Sequence, residues 1–100
     1  MESFGDIIKK AREDEGLFLR QVGSAIELDQ AIISKFERGE RKPTKEQVEK
    51  FATFFRLDKS KLMTAWLSDK IAYSLIGELN PVEILKVAED KIIYFQTHNG

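Results

Sequence analysis

The stretch from Gly16 to Gly39 reads GLFLRQVGSAIELDQAIISKFERG, and its reading decides the fold. Leu19, Val22, Gly23 and Ile26 recur at helical spacing, which gives a short amphipathic helix with Leu28 just past its end. Asp29 is a good N-cap, because its short carboxylate can accept from the first unpaired backbone amides of a helix. It opens a second short helix running to about Glu37, which Gly39 closes. At about 100° per residue, Ile33 and Phe36 of this second helix point inward. Gln30, Ala31, Ser34 and Lys35 point the other way, and Ile32 sits on the flank. A solvated helix face would more usually carry several Glu and Lys. This one is small and polar with a single lysine.

Working outward, every other segment also reads as helix, and no alternating strand run or internal repeat is present. Upstream, Phe4, Ile7, Ile8 and Ala11 mark one helical face. Ser3 and Asp6 resemble a capping box in front of it, and Gly16 follows as its C-terminal stop. Downstream, Arg38 to Pro43 is a basic, turn-forming loop. Thr44 and Gln47 form a second capping pattern, opening a helix with Val48, Phe51, Ala52 and Phe55 inward. Asp58 starts a long helix through Trp66 towards Leu75 and Ile76, with Gly77 as its stop. Asn80 and Pro81, with Glu83 reaching back, open a last helix to about Phe95, which leaves His98 in the tail. The fold class is all-α, with six helices.

Composition narrows the function. The 100 residues suit one domain, or one domain with an extension, and are 42% hydrophobic and 33% charged with 6 Gly and 2 Pro, which excludes low-complexity and collagen-like classes. There is no Cys, and the one His lies near the end, so no thiolate or His-cluster metal site is expected, nor a catalytic dyad built on an internal His. A phosphate-cradling Gly loop and a nucleophile–base set are also missing, so an enzyme is not expected, nor a cofactor or small-molecule ligand. No apolar run approaches the roughly 20 residues of a membrane span. The first residues carry Glu2 and Asp6 without a signal-peptide pattern, and the chain reads as cytoplasmic. Net charge is −1, so an argument for an anionic partner has to come from where the charges sit. They sit in one place: Lys35, Arg38, Arg41, Lys42 and Lys45 face only Glu37 and Glu40 within the same stretch.

Two short helices joined by a tight turn, the second with a small polar outer face, make a helix-turn-helix. Here the chain resembles the XRE family, the phage-repressor and Cro-like regulators. The resemblance runs without a gap from Gly16-Leu17 through Ile33-Ser34-Lys35-Phe36-Glu37-Arg38-Gly39. It continues over Arg41-Lys42-Pro43-Thr44 to Leu57, and spans roughly residues 4–66 in all. It implies a five-helix, lambda-repressor-like DNA-binding domain with a recognition helix at 29–37, and a homodimer on a palindromic operator. Position by position it implies base contacts for Gln30, Ala31 and Lys35, with Ser34 beside them. It implies phosphate contacts for Arg38, the Gly39 amide, Arg41 and Lys42, and a largely buried salt bridge between Arg12 and Glu37. Gly23 falls where the family keeps a small residue so that two helices approach closely. Four positions depart from the pattern. Phe18 and Leu19 replace the polar residues that open the second helix and help bind a phosphate, a contact that Arg20 can take over. Glu27 replaces the usual turn glycine, and Ile32 places an apolar group near the groove.

The composition shifts near residue 67, which sets a boundary between residues 1–66, the DNA-binding domain, and residues 67–100, a C-terminal helical extension. In the last helix Ile84, Leu85, Ala88, Ile92 and Phe95 share a face, and the preceding helix adds Leu67, Ile71 and Leu75. That is more apolar surface than one five-helix unit needs, and it points to a two-fold interface. The expected partners are therefore double-stranded DNA and a second copy of the chain. The expected role is a sensor-free transcriptional regulator, such as a restriction–modification controller or autorepressor. The rival reading is an antitoxin-like interaction module that keeps the two-helix unit as a scaffold and binds protein through Phe18, Leu19 and the last helix.

Overall fold

The computed structural model describes residues 2–98. Six helices follow one another: α1 (Phe4–Asp14), α2 (Leu19–Ile26), α3 (Gln30–Glu37), α4 (Lys45–Phe55), α5 (Lys59–Leu75) and α6 (Pro81–His98). Among the described residues no strand occurs. The starts are set by short polar side chains that satisfy orphan amides. Ser3 Oγ accepts from the Asp6 amide at 3.1 Å while Asp6 accepts from the Ser3 amide at 3.2 Å. Thr44 and Gln47 repeat this box at 3.2 and 2.9 Å. Asp29 accepts from the Ala31 amide at 2.7 Å, and Asp58 from the Lys61 amide at 3.0 Å.

The chain divides into two compact units, Met1–Asp69 and Lys70–Gly100. In the first unit α1 packs on α3 and α4, and α2 packs on α3 and α4. The predicted inward residues form one core: Ile8, Val22, Ile33, Val48 and Phe51 have no measurable exposure, and Phe4, Phe36, Leu62 and Trp66 are buried with them. Phe51 is its hub. Its ring meets Phe4 edge-on with centroids 5.7 Å apart and Phe36 at 6.1 Å, and Phe55 stacks beside it at 6.4 Å. Such contacts add to the burial term itself. Two hydrogen bonds, one buried and one part-buried, tie α5 to this core. Trp66 Nε1 donates to the Pro43 carbonyl at 3.1 Å, and the Phe4 amide donates to Asp69 Oδ2 at 2.9 Å.

The helix ends share one device. After α1, α2, α3 and α4 the chain turns through a left-handed residue: Gly16 (φ 65), Glu27 (φ 59), Gly39 (φ 74) and Arg56 (φ 55). The residue after each donates back five positions, as Leu17 to Arg12, Leu28 to Gly23, Glu40 to Lys35 and Leu57 to Ala52, all at 2.9–3.0 Å. This is the Schellman closure of a helix C-terminus. Two of the four sites carry a side chain where glycine avoids the Cβ clash. Glu27 and Arg56 are both exposed, so nothing else depends on them. Glu27→Gly and Arg56→Gly are each expected to stabilise the fold by about 0.5–1 kcal/mol, read as a higher urea midpoint at unchanged slope. A drop in the midpoint for both would refute the strain argument.

The second unit holds the end of α5 and all of α6, and α6 has no buried residue. Among the described residues, every large exposed hydrophobic apart from Phe18 lies from Leu67 onward. The ends of this unit depart from expectation in three ways. The turn after α5 runs through Gly77 without a left-handed φ. At the start of α6, Asn80 supplies its backbone carbonyl to the Ile84 amide at 3.0 Å, and the return bond expected from Glu83 is absent. The last helix continues past Phe95 to His98. His98 is not a loose tail residue. Its ring stacks on Tyr94 with centroids 4.0 Å apart, and its Nδ1 lies 2.9 Å from the Tyr94 carbonyl.

Candidate nucleic-acid interface

Helix α3 is anchored from behind. Ile33 and Phe36 are buried, and Ile32 and Leu28 pack half-buried against the core. Ile32 is therefore a flank residue of the core rather than a side chain free to reach into a groove. On the other side Gln30, Ala31 and Lys35 are exposed, and Ser34 is half-buried one turn along. The four residues expected to read bases thus share one outward strip.

The turn between α2 and α3 is three residues, Glu27 to Asp29, and it fixes the angle at which α3 is presented. Gly23 is the reason it can be so tight. A Cβ there would lie 2.4 Å from the Leu28 carbonyl oxygen and 3.5 Å from Ile33 Cδ1. The close approach expected at Gly23 is therefore to the turn's backbone, and even alanine would force a shift. Gly5 does the same on the opposite side, a role not read from the sequence. Its Cβ would meet the Phe36 and Glu37 carbonyls at 2.4 and 2.8 Å, so α1 crosses the end of α3 backbone to backbone. A glycine in the first turn of α1, where a better helix former would ordinarily stand, was the available signal.

The Arg12–Glu37 pair locks α1 to α3. Arg12 Nε donates to Glu37 Oε2 at 2.8 Å and Nη2 to Oε1 at 2.9 Å, while Nη1 reaches the Leu17 carbonyl at 3.0 Å. The side chains are only 15% and 6% exposed. The hydrogen bond to Glu37 holds the guanidinium pKa above its ordinary value, against desolvation that lowers it, and the Glu37 and Glu13 charges add to the rise. Arg12 is charged at any pH an experiment would use.

The loop after α3 carries the cations. Arg41 and Lys42 are exposed, and Trp66 holds the Pro43 that follows them. Arg38 is exposed too, and its guanidinium engages Glu40 and the Ser34 hydroxyl. The Gly39 amide departs from expectation. It donates to the Phe36 carbonyl at 3.2 Å as part of the helix closure, so the donor assigned to phosphate is already occupied. At the start of α2, Phe18 has no side-chain oxygen to cap the helix, and only the return limb is present, with Gln21 Oε1 accepting from the Phe18 amide at 2.7 Å. Arg20 lies over the exposed Phe18 ring, 4.8 Å from its centre, and remains at the surface. Sequence reasoning also missed Lys50, whose ammonium donates to the Ile26 carbonyl at 3.3 Å at the end of α2.

Of the residues expected at a subunit contact, Leu67, Ile71, Ile84, Leu85, Ile92 and Phe95 are exposed, and Leu75 and Ala88 are half-buried. Among the described residues no helix is long and apolar enough to cross a membrane, and no group of three acidic, His or Cys side chains is placed to hold a metal ion.

Residues 8–62 match the helix-turn-helix family model, and comparison with curated proteins found no match. The matched region runs from Ile8 in α1 to Leu62 in the first turn of α5. With α2, the three-residue turn and the outward strip of α3 inside it, the chain belongs to the XRE-type helix-turn-helix family of DNA-binding regulators.

Proposed function

We propose that the chain is a sequence-specific transcriptional regulator that binds an inverted-repeat operator as a homodimer. The observation that carries this reading is the α3 strip of Gln30, Ala31 and Lys35, exposed beside a cationic loop while the opposite side of the helix is buried. A glutamine matches the N6/N7 edge of adenine, a lysine the O6/N7 edge of guanine, and an alanine methyl can meet a thymine methyl. Ser34 sits within the same strip. Arg20, Arg38, Arg41 and Lys42 supply backbone contacts that fix register without reading sequence. Gly39 serves by shaping the turn that presents this loop.

So few cations per protomer give weak binding alone, and a second copy doubles the footprint. In this reading residues 1–66 bind DNA and residues 67–100 hold two recognition helices about one DNA turn apart, roughly 34 Å. Selection of bound sequences from a random duplex pool is the direct test. An inverted repeat establishes specificity and symmetry together. Recovery of that repeat upstream of the protein's own gene identifies an autorepressor, and upstream of restriction–modification genes a controller. If all duplexes bind alike, and only in the millimolar range at low salt, the interaction-module reading through Phe18, Leu19 and α6 takes its place.

Two substitutions separate the kinds of contact. Gln30→Ala is expected to cost about 1–3 kcal/mol on the selected site and little on random duplex. Arg41→Ala is expected to weaken both alike and to reduce the slope of log K against log salt by about 1. Titrations on both duplexes at several salt concentrations distinguish them. Equal losses on both duplexes for Gln30→Ala would remove it from base reading.

A further inference from the structure

The end of α3 carries a contact that the DNA-binding reading leaves unused. Arg38 Nε donates to Glu40 Oε2 at 2.8 Å, and Nη2 lies 2.7 Å from the same oxygen. On the far edge of the guanidinium, Nη1 donates to Ser34 Oγ. One arginine thus spans from the loop to the outward strip of the recognition helix and is held at both ends. The placement of Glu40 is built into the backbone. Gly39 turns through φ 74, and the Glu40 amide is fixed on the Lys35 carbonyl at 2.9 Å. The carboxylate is thereby returned to the side of the helix from which Arg38 extends.

We propose that Glu40 takes the place of a DNA phosphate on Arg38 in the free protein, and so sets how much Arg38 and Ser34 contribute to binding. The proposal rests on the DNA-binding reading and adds a positioning residue to it. The guanidinium fork matches carboxylate and phosphate alike, because both offer oxygens to parallel N–H donors. The edge that Glu40 occupies is therefore an edge a phosphate would use. To bind through it, DNA must displace Glu40 and leave that carboxylate facing the polyanion. Both side chains are 55% exposed, so the pair is weak enough to open. While it is closed, the Ser34 hydroxyl oxygen stays engaged with Arg38. Glu37, the other carboxylate near this helix end, is committed to Arg12 and does not compete.

A thermodynamic cycle in the intact protein tests this. Wild type, Glu40→Ala, Arg38→Ala and the double variant are titrated with the selected duplex and with random duplex. Glu46→Ala is the control, since Glu46 is exposed in the first turn of α4 and its loss changes net charge equally. Glu40→Ala is expected to tighten binding about 3- to 10-fold at low salt and to steepen the salt slope by about 1, the count of one released arginine contact. Glu46→Ala should give less than a twofold change. In the Arg38→Ala background the gain from Glu40→Ala should disappear. A second readout needs no DNA: the Arg38 Nε–H resonance of the free protein should exchange faster with solvent in Glu40→Ala than in wild type. Equal gains from Glu40→Ala and Glu46→Ala, or a gain that survives in the Arg38→Ala background, overturn the latch while leaving the DNA-binding reading intact. A wild type that binds no duplex overturns both.

Discussion

Ile92→Glu is expected to leave the protein folded but monomeric, and to weaken its operator affinity by roughly 10²–10³-fold. Ile92 lies on α6 with Leu85, Ala88 and Phe95 on the same face, and 55% of its surface is exposed. No side chain of α6 is buried, so a carboxylate at this position costs the folded chain little. In a two-fold contact the same carboxylate would have to enter an apolar interface, and would do so twice, which charged groups rarely do without a partner. Linked half-sites gain their affinity from effective concentration, so a variant that cannot pair keeps each α3 strip and loses the avidity. The expected signature is therefore selective: the mass by light scattering halves, affinity for the full operator collapses, and affinity for a half-site is unchanged. Lys86→Glu, on the opposite side of α6, is the charge control and should keep the dimer. A wild type that is already monomeric at micromolar concentration, or an Ile92→Glu variant that binds the full operator normally, would remove the interface from residues 67–100.

What could be read from the sequence follows from how local each signal is. Helix starts were legible because a cap is a four-residue pattern: Ser3/Asp6, Asp29 and Thr44/Gln47 all cap as their spacing predicts. The inward faces of α1 to α4 were legible because helical periodicity marks them directly. The helix closures were partly legible. Gly16 and Gly39 announce themselves, whereas Arg56 occupies the same left-handed geometry with no compositional sign. Contacts that depend on which helices cross could not be read from any local pattern. Gly5 against the Phe36 carbonyl, Asp69 on the Phe4 amide and Trp66 on the Pro43 carbonyl join residues far apart in sequence. Around the candidate interface, the exposed strip of α3 follows from the helical wheel, but the state of its neighbours does not. That Glu40 rather than solvent faces Arg38, and that the Gly39 amide is spent on Phe36, depend on the φ of one glycine.

Arg12→Ala is the single substitution expected to cost the first unit most among its polar residues, about 3 kcal/mol, or a fall in melting temperature on the order of 15 °C. The loss is large because of what remains. Glu37, only 6% exposed, keeps its charge in a site built for a guanidinium, and the Leu17 carbonyl loses a donor as well. The attraction in the intact pair is a poor measure of this cost, since burying both charges consumed much of it. The double variant Arg12→Met/Glu37→Leu should therefore recover most of the lost stability, because it removes the stranded charge and refills the space with apolar volume. The pH dependence has a definite sign. Arg12 has a raised pKa in the folded state, so its contribution is fully present below the ordinary guanidinium value and is lost only as pH rises through the raised one. The deficit of Arg12→Ala relative to wild type is then not relieved by working at mildly alkaline pH. DNA affinity gives the second half of the test. If the pair acts only by holding α1 against α3, the double variant regains operator binding along with its melting temperature. Recovery of stability without recovery of binding would mean that the bidentate geometry itself sets the angle at which α3 is offered to the groove. A double variant as unstable as Arg12→Ala would show that the stranded charge is not the source of the loss.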